Sequence, residues 1–429
     1  MSQTHSAALA PHPDAAAASA EIFNAGALDP RQRLTVYVLC GLAGIVEGFG
    51  LQSAGMAAPK FATEFHMLPD YVGAIFLLTS LGLALGAGIG GWWGDRIGAG
   101  RAMGLAVALF GVASIGSALA PSAASLAAMR TLAGLGLGGG LPNMIALLTH
   151  VGPSSSAPRR VTLSIAGISA GALLVALLVL FASATSSWRV IFHLGGGFAL
   201  LVAALLALFL PSVSTAPTRP RRTAGAAVER WRVLFRRQYL LTTLLFWLAF
   251  FVTAATSYLL INWMPTFLVS SGMHQHEVGI GMIGLAGGGA AGPMLLAGLL
   301  RPGRVRSVMC LAYAGIVLGL FSLINAPKTI LYLSLATTFT GFFAAGTQAV
   351  LFGIVGAFYP ASVRGTGVGS AVAVGRIGSG AGPALAGVML TAGSTQENVL
   401  AAVVPLLVLS LAALLLLLRT PPEALQVRD

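Results

Sequence analysis

Apolar stretches of about twenty residues follow one another along the chain from Leu34 onward, with short polar connections between them. About twenty apolar residues in a helix are needed to cross the hydrocarbon core of a bilayer. Lipid offers backbone groups no hydrogen-bond partners, so each stretch is expected to be helical. The pattern predicts twelve spans, at residues 34–58, 70–92, 102–120, 123–149, 160–182, 188–210, 239–265, 278–300, 306–325, 328–354, 364–391 and 397–418.

The longest polar connection, residues 211–238, is rich in proline and arginine and divides the twelve spans into two groups of six. The loops after the second and the eighth span are both short, basic and contain glycine, which indicates a weak repeat. Two parallel six-helix halves are a known architecture of membrane transporters. We therefore predict an all-α membrane protein in five parts: a disordered cytoplasmic tail (1–33), an N-terminal six-helix half (34–210), a basic cytoplasmic linker (211–238), a C-terminal six-helix half (239–418) and a cytoplasmic tail (419–429).

Basic residues in the connections predict the orientation, because cytoplasmic loops carry an excess of lysine and arginine. If both termini are cytoplasmic, nineteen of the 24 basic residues fall on the cytoplasmic side. Three, namely Lys60, Arg189 and Lys328, fall on the opposite side, and Arg130 and Arg376 fall inside spans. The sequence therefore predicts a multi-pass protein with both termini in the cytoplasm.

Composition narrows the class of protein further. Hydrophobic residues make up 56% of the 429 residues, charged residues only 8%, and the mean hydropathy is +0.87. Soluble domains carry about 25% charged residues, so a soluble enzyme and a disordered chain are both excluded. The net charge of +12 does not indicate a nucleic-acid partner, because the arginines are scattered between apolar stretches. The first thirty residues lack the basic segment that opens a cleaved signal peptide.

Glu47 is the one acidic residue that lies well inside a predicted span. A charge at this depth costs several kcal/mol, so it needs a functional or a structural reason. The functional interpretation is a carboxylate that binds and releases a proton, with Gly44, Gly48 and Gly50 allowing close helix approach. The structural alternative is a partner for a buried arginine.

Arg376 and Arg130 are the corresponding buried cations. An arginine stays charged and can bind a carboxylate through two parallel hydrogen bonds, so an anionic substrate with a carboxylate group is the simple inference. Alternatively, Arg376 forms a salt bridge with Glu47, and Arg130, about 10 Å from the outer end of its span, extends its side chain to the interface.

Other polar residues inside the spans are weaker candidates. Tyr258, Asn262 and Gln348 are predicted to line a substrate cavity, and the first two share a helix face because they are four residues apart. Each can instead form a hydrogen bond between helices. Trp188 and Trp263, near span ends, are predicted to lie in the aromatic belt at the membrane surface.

Motifs for catalysis, cofactors and metals are missing from the sequence. The two cysteines, Cys40 and Cys310, both sit in apolar runs and give no disulfide framework or metal site. No Walker-type phosphate loop and no GxSxG hydrolase motif is present. We therefore predict a protein that is not an enzyme and that needs no cofactor or metal.

The connection between the second and third spans reads GWWGDRIGAGR, residues 91–101. It resembles the signature loop of the major facilitator superfamily, with one basic residue where the pattern has a basic pair. The resemblance implies gating and conformational roles for five residues: Gly91, Asp95, Arg96, Gly98 and Arg101. A carboxylate such as Asp95 can accept hydrogen bonds from helix-end N–H groups or an arginine, and so latch the two halves together.

Four further segments are similar to the aromatic acid:proton symporters of that superfamily, and most of all to 3-(3-hydroxyphenyl)propionate transporters: residues 46–59, 130–147, 258–265 and 363–387. The family's first helix carries an acidic-Gly-x-Asp motif tied to proton coupling. Here Glu47 matches the first acid, and Gly50 replaces the second. The resemblance further implies that Arg376 meets the substrate carboxylate, and it places His150 where the family has an acid.

The sequence and the resemblance together imply a secondary transporter of the bacterial inner membrane. It is expected to act as a monomer and to import an aromatic carboxylate, of the hydroxyphenylpropionate or benzoate type, with protons by alternating access. Its partners would be the acid, protons and the lipid bilayer. The alternatives are an exporter of drugs or metabolites on the same fold, a membrane sensor that does not transport, and a membrane enzyme.

Overall fold

The computed structural model describes residues 28–151, 157–181, 187–210, 232–301, 303–325, 327–360 and 363–419. Within these ranges the chain forms twelve helices of twenty residues or more and no β-strand. The helices are α1 (Pro30–Glu64), α2 (Pro69–Ile97), α3 (Ala99–Ala118), α4 (Ala123–His150), α5 (Ala157–Phe181), α6 (Arg189–Phe209), α7 (Arg237–Ser270), α8 (Gln275–Gly298), α9 (Val305–Ile324), α10 (Ile330–Val355), α11 (Arg364–Thr391) and α12 (Gln396–Leu417).

Each predicted span coincides with one of these helices, and the all-α membrane fold is confirmed. Ten of the helices are long and apolar enough to cross a membrane by length and composition. The other two are α5, whose apolar part Ala166–Phe181 is shorter, and α11, which is rich in glycine and carries Arg376. The number of helices that cross the bilayer therefore stays a prediction.

We call α1–α6 the N-terminal half and α7–α12 the C-terminal half. In the N-terminal half, α4 packs against α2 and α3, α1 against α5, and α3 against α6. In the C-terminal half, α10 packs against α8 and α9, and α7 against α11 and α12. The predicted tail and linker lie mostly outside the described residues, so the proposed division of the chain stays a prediction.

Glycines allow the helices to approach closely. A Cβ atom on Gly138 would overlap the backbone of Leu83, and one on Gly90 would lie 2.5 Å from the Cα of Gly139. Without a hydrophobic driving force between helices in lipid, such close van der Waals contact is a main source of helix association. Many of the 55 glycines therefore serve helix packing.

We call the end of the bundle where α1 ends and α2 begins the far end, and the opposite end the near end. At the far end the two halves are in contact through α2 and α11, α1 and α7, and α5 and α8. The backbone N–H of Asp70 donates to the Thr391 hydroxyl group across 2.9 Å, and a Cβ on Gly387 would lie 3.1 Å from the Cα of Asp70. The far end is therefore closed.

At the near end the same two helices, α2 and α11, are separated. Gly88 on α2 and Gly365 and Gly369 on α11 are exposed, and a Cβ atom on any of them would meet no described atom within 4 Å. The described residues therefore form a bundle that is closed at the far end and open between the halves at the near end.

Trp188 and Trp263 are not belt residues, and that prediction was wrong. Each is only 2% exposed. Trp188 donates its indole N–H to the Glu64 carboxylate across 2.6 Å, and Arg189 pairs with the same carboxylate at 2.6 Å. A position near a span end does not separate a belt tryptophan from one that packs between helices, because both sit at the same depth.

Candidate functional site

Arg376 lies near the middle of α11, where it is half-buried and donates a hydrogen bond to the Tyr258 hydroxyl oxygen on α7 across 3.0 Å. Gly378 brings α11 against α7, because a Cβ there would overlap the Phe251 carbonyl oxygen. Within the described residues, Tyr258 is the one side chain that the guanidinium contacts by hydrogen bond. The remaining N–H groups of Arg376 are thus available to an anion.

Glu47 lies on α1 and is 7% exposed. Gly44 and Gly48 draw α1 against α5: a Cβ on Gly44 would lie 2.5 Å from the Ser164 carbonyl oxygen, and one on Gly48 would overlap the Ile168 backbone. The carboxylate also borders a small apolar cavity of about 10 Å³ that Phe110 helps to line. A charged carboxylate in such surroundings is poorly solvated, so its charge has to be offset by a partner.

Glu47 and Arg376 lie in opposite halves of the molecule, on α1 and α11. They form no ion pair within 4.0 Å in the described part of the chain. Direct neutralisation of Glu47 by Arg376 is thus not the arrangement in this conformation.

Gly50, which stands where the resembled family has its second acid, faces the packed interior of the N-terminal half. A Cβ atom at this position would lie 2.7 Å from the Phe110 ring and 2.9 Å from a Leu137 methyl group. A larger side chain would have to displace both neighbours. The described structure therefore has no space for a second carboxylate next to Glu47.

Arg130 on α4 is fully buried, at 0% exposure. None of its three guanidinium nitrogens has a hydrogen-bond partner in the described structure. The group lies over the Phe192 ring, 5.0 Å from its centroid. A buried arginine without a counter-ion is costly, so its charge calls for an anion or for water in some state of the molecule. No described contact joins Arg130 to Arg376.

The other two predicted cavity residues, Asn262 and Gln348, make no described hydrogen bond with Arg376. Asn262 is 6% exposed and donates its side-chain amide to the Tyr258 backbone carbonyl across 2.8 Å. It also packs at the far-end contact between the halves, since a Cβ on Gly55 would lie 2.9 Å from the Asn262 backbone. Gln348 is half-buried on α10 and makes no hydrogen bond with the rest of the described structure. Tyr258 is thus the polar candidate that shares a site with Arg376.

The signature loop lies at the near end and forms an almost direct turn from α2 into α3. Gly98 adopts a φ of 91°, a left-handed conformation that favours glycine, and it links the two helices. Asp95 is exposed and makes no hydrogen bond or ion pair with any described residue. Arg96 lies over the Trp92 ring at 3.8 Å, whereas Gly91 and Arg101 face open space or solvent. With the near end open, Asp95 has no latch partner here.

Asn143, another polar residue inside a predicted span, forms a hydrogen bond between helices beneath this loop. Its amide nitrogen donates to the carbonyl oxygens of Gly90 and Gly139, both at 2.8 Å, and so ties α4 to the end of α2. The pairing depends on the register of two helices that are distant in sequence. No three His, Cys, Asp or Glu side chains of the described residues come together to form a metal site.

Comparison with known proteins supports this architecture. The sequence profile of the Major Facilitator Superfamily matches residues 40–323 and 290–429. The chain belongs to the major facilitator superfamily. Membership makes it a multi-pass membrane transport protein and not an enzyme, as the apolar helices also indicate.

Two curated relatives and one solved structure are similar over most of their length. The chain is 37% identical to the 3-(3-hydroxy-phenyl)propionate transporter of Escherichia coli, over 89% of this chain and 93% of the relative. It is 26% identical to the gallate transporter of Pseudomonas putida, over 83% and 86%. The structure of a D-xylose-proton symporter matches with a TM-score of 0.73 at 17% identity, covering 92% of this chain and 99% of that one. The last likeness concerns the fold alone, whereas the first confirms the resemblance drawn from the sequence.

Proposed function

We propose that this protein imports an aromatic carboxylate together with protons by alternating access. The observation that carries the proposal is Arg376: it is a permanently charged group at mid-helix depth, oriented by Tyr258, with no carboxylate of the described residues within 4.0 Å. Planar guanidinium groups bind carboxylates through two parallel hydrogen bonds. A substrate carboxylate is the group that would satisfy this charge.

The names of the relatives support an aromatic substrate. One is a transporter of 3-(3-hydroxyphenyl)propionate and another of gallate, and both of these compounds join a hydroxylated ring to a carboxylate. We infer a substrate of this type for the present chain. Arg130, buried and without a partner in the described residues, would supply a second positive charge to the pathway of the anion in another conformation.

Glu47 is the candidate for proton coupling. It is buried, it lies in the half opposite to that of Arg376, and Gly50 leaves no second acid beside it. Protonation of Glu47 would remove a negative charge that repels the substrate anion, so proton and anion would favour each other's binding. One proton with one monovalent anion moves no net charge, and uptake would then follow the pH and substrate gradients.

The orientation follows from the basic connections, with both termini in the cytoplasm of a bacterial cell. The near end then faces the cytoplasm and the far end faces outward, so the conformation described above is open to the inside. In the opposite state the near end would close, and Asp95 would meet a hydrogen-bond donor of the C-terminal half. We propose that the protein works as a monomer, since the pathway lies between its own two halves.

Uptake into proteoliposomes tests the proposal. Labelled 3-(3-hydroxyphenyl)propionate, gallate and benzoate are offered to vesicles with an imposed pH gradient, acidic outside. We expect accumulation of at least one acid above equilibrium, abolished by a protonophore and by the Arg376→Gln change. Accumulation that does not depend on the pH gradient would contradict proton coupling. If none of the three acids is taken up, the proposed substrate class is wrong.

The direction of net transport distinguishes the proposed importer from an exporter. Expression of an importer raises the cellular content of the labelled acid, whereas expression of an exporter lowers it. A membrane sensor would bind the acid and produce no flux in vesicles.

A further inference from the structure

A cavity of about 420 Å³ opens at the far end of the bundle, away from Arg376 and Glu47. It lies between the ends of α7 and α11, the start of α12 and the connection that carries Lys328, and Pro69 of the N-terminal half borders it. We call it the outer pocket. Its volume is sufficient for an aromatic acid, since ligand sites usually measure about 300–1,000 Å³.

The inner wall of the outer pocket is aromatic and rigid. Trp263 and Phe267 stack with ring centroids 6.1 Å apart and an interplanar angle of 21°. The Trp263 indole N–H donates to the Pro383 carbonyl oxygen across 2.8 Å, which fixes the ring. Trp263 also meets Phe76 of the N-terminal half edge to face, at 5.8 Å. The wall is thus part of the far-end contact between the halves.

The Gln396 side chain carries a hydrogen-bond acceptor that has no donor among the described residues. Its amide nitrogen donates to the Ser271 hydroxyl oxygen across 3.0 Å and to the Glu397 carboxylate across 3.2 Å. Because an ionised carboxylate can only accept a hydrogen bond, the atom of Gln396 that faces Glu397 must be the amide nitrogen and not the oxygen. Its Oε1 atom is therefore buried without a donor. A buried acceptor left unpaired costs about 1–3 kcal/mol. Gln396 also lines the outer pocket, so a small rotation of its side chain would present this acceptor to a ligand donor.

Lys328 supplies a positive charge at the mouth of the outer pocket. It is exposed, and it forms no ion pair or hydrogen bond within the described residues. The Glu397 carboxylate also lines the pocket, where Lys328 attracts it without forming an ion pair, and it accepts a hydrogen bond from the Gln396 amide across 3.2 Å. Its charge is partly offset by this donor and by the positive end of α12, which begins beside it.

We propose that the outer pocket is a second binding site, for a hydroxylated aromatic carboxylate, on the outside of the closed far end. The ring would lie against Trp263 and Phe267, the hydroxyl group would donate to Gln396 Oε1, and the carboxylate would face Lys328. The ligand class rests on the proposed function. Because Trp263 also closes the contact with Phe76, a molecule held here waits directly outside the closed pathway.

Equilibrium binding of labelled 3-(3-hydroxyphenyl)propionate to the full-length protein in lipid nanodiscs tests the second site. We expect two molecules per chain for the unaltered protein and one for Arg376→Gln, which loses the central site. Adding Lys328→Gln to Arg376→Gln should weaken the remaining site about five- to tenfold. Lys60→Gln, which removes the same charge at the same end but outside the pocket, is the matched control and should leave that site unchanged.

The ligand's hydroxyl group gives an independent check. Gln396→Leu should weaken binding of 3-(3-hydroxyphenyl)propionate to the second site and leave that of 3-phenylpropionate, which has no hydroxyl group, unchanged. If Arg376→Gln misfolds, Lys328→Gln alone should raise the KM for uptake from the far-end side several-fold at an unaltered maximal rate.

A single bound molecule that is insensitive to Lys328→Gln would overturn this inference, as would an equal effect of Lys60→Gln. The two proposals fail separately. If binding depends on Lys328 but no acid accumulates in vesicles, the second site is supported and the transport proposal is contradicted. If accumulation depends on Arg376 and each chain binds one molecule, the transport proposal is supported and the second site is contradicted.

Discussion

Arg376 on α11 donates a hydrogen bond to the hydroxyl oxygen of Tyr258 on α7, with 3.0 Å between the two atoms. The contact fixes the guanidinium plane relative to α7 while leaving most of its N–H groups unused by the described residues. An oriented cation of this kind is suited to one anion geometry, because the planar fork matches a carboxylate. The first two predictions follow from this pair.

Arg376→Lys should abolish binding of the aromatic acid at the central site almost as fully as Arg376→Gln does. An ammonium group keeps the charge but lacks the planar fork, and loss of a buried charged contact costs about 2–5 kcal/mol of binding. Binding of the acid and of its neutral amide to purified protein measures the effect. The amide should lose little in either variant, and an equal loss for acid and amide in well-folded protein would count against a carboxylate contact.

Tyr258→Phe should raise the KM for uptake of the acid about tenfold, with a smaller change in the maximal rate. The substitution keeps the ring and removes the hydroxyl group that orients Arg376, and a hydrogen bond to a charged group contributes roughly 1.5–3 kcal/mol. Initial rates in proteoliposomes provide the measurement. Tyr332→Phe is a suitable control, since the Tyr332 hydroxyl contacts Ser322 at 3.3 Å, away from this site.

Glu47→Gln should abolish accumulation driven by a pH gradient while leaving the protein in the membrane. Glutamine has the size of the protonated acid but cannot release a proton. Exchange of internal for external substrate should survive, because exchange does not require proton release. Parallel assays of uptake and exchange decide the matter, and normal pH-driven accumulation by the variant would rule out this role for Glu47.

Gly50→Asp should destabilise the N-terminal half and should not add a second coupling acid. The new side chain would collide with Phe110 and Leu137, whose atoms lie 2.7–2.9 Å from the position of a Cβ atom. Overpacking of this kind costs about 1–3 kcal/mol, and an unpaired buried carboxylate adds to it. Thermal unfolding in detergent should show the loss, and Gly50→Asp with Phe110→Ala should regain part of it. A variant as stable as the original would contradict the packing described here.

Asp95→Asn should slow uptake and leave binding of the acid nearly unchanged. Asp95 is exposed at the open near end, distant from Arg376, so its charge matters when the near end closes. Transport rates and equilibrium binding, measured on the same preparation, separate the two effects. A large loss of affinity at a normal rate would contradict a role in closure.

The sequence alone was sufficient for the helices, for the class of fold and for the family. Apolar stretches longer than the bilayer is thick leave the backbone no alternative to helix, so each predicted span coincides with a helix of the described structure. The same reasoning selected Glu47, Arg130 and Arg376, because a charge at bilayer depth is costly wherever its helix packs.

Only the tertiary structure decided which of these side chains meet. Arg376 and Tyr258 are 118 residues apart, and their contact depends on how α7 and α11 pack. Helical periodicity fixes the face of a residue on its own helix but not the neighbour that covers it, which is why Trp188 and Trp263 were assigned to the membrane surface and are buried instead. For the same reason the collision of a side chain at Gly50 with Phe110, and the cavity beside Trp263, became visible only once the helices were packed together.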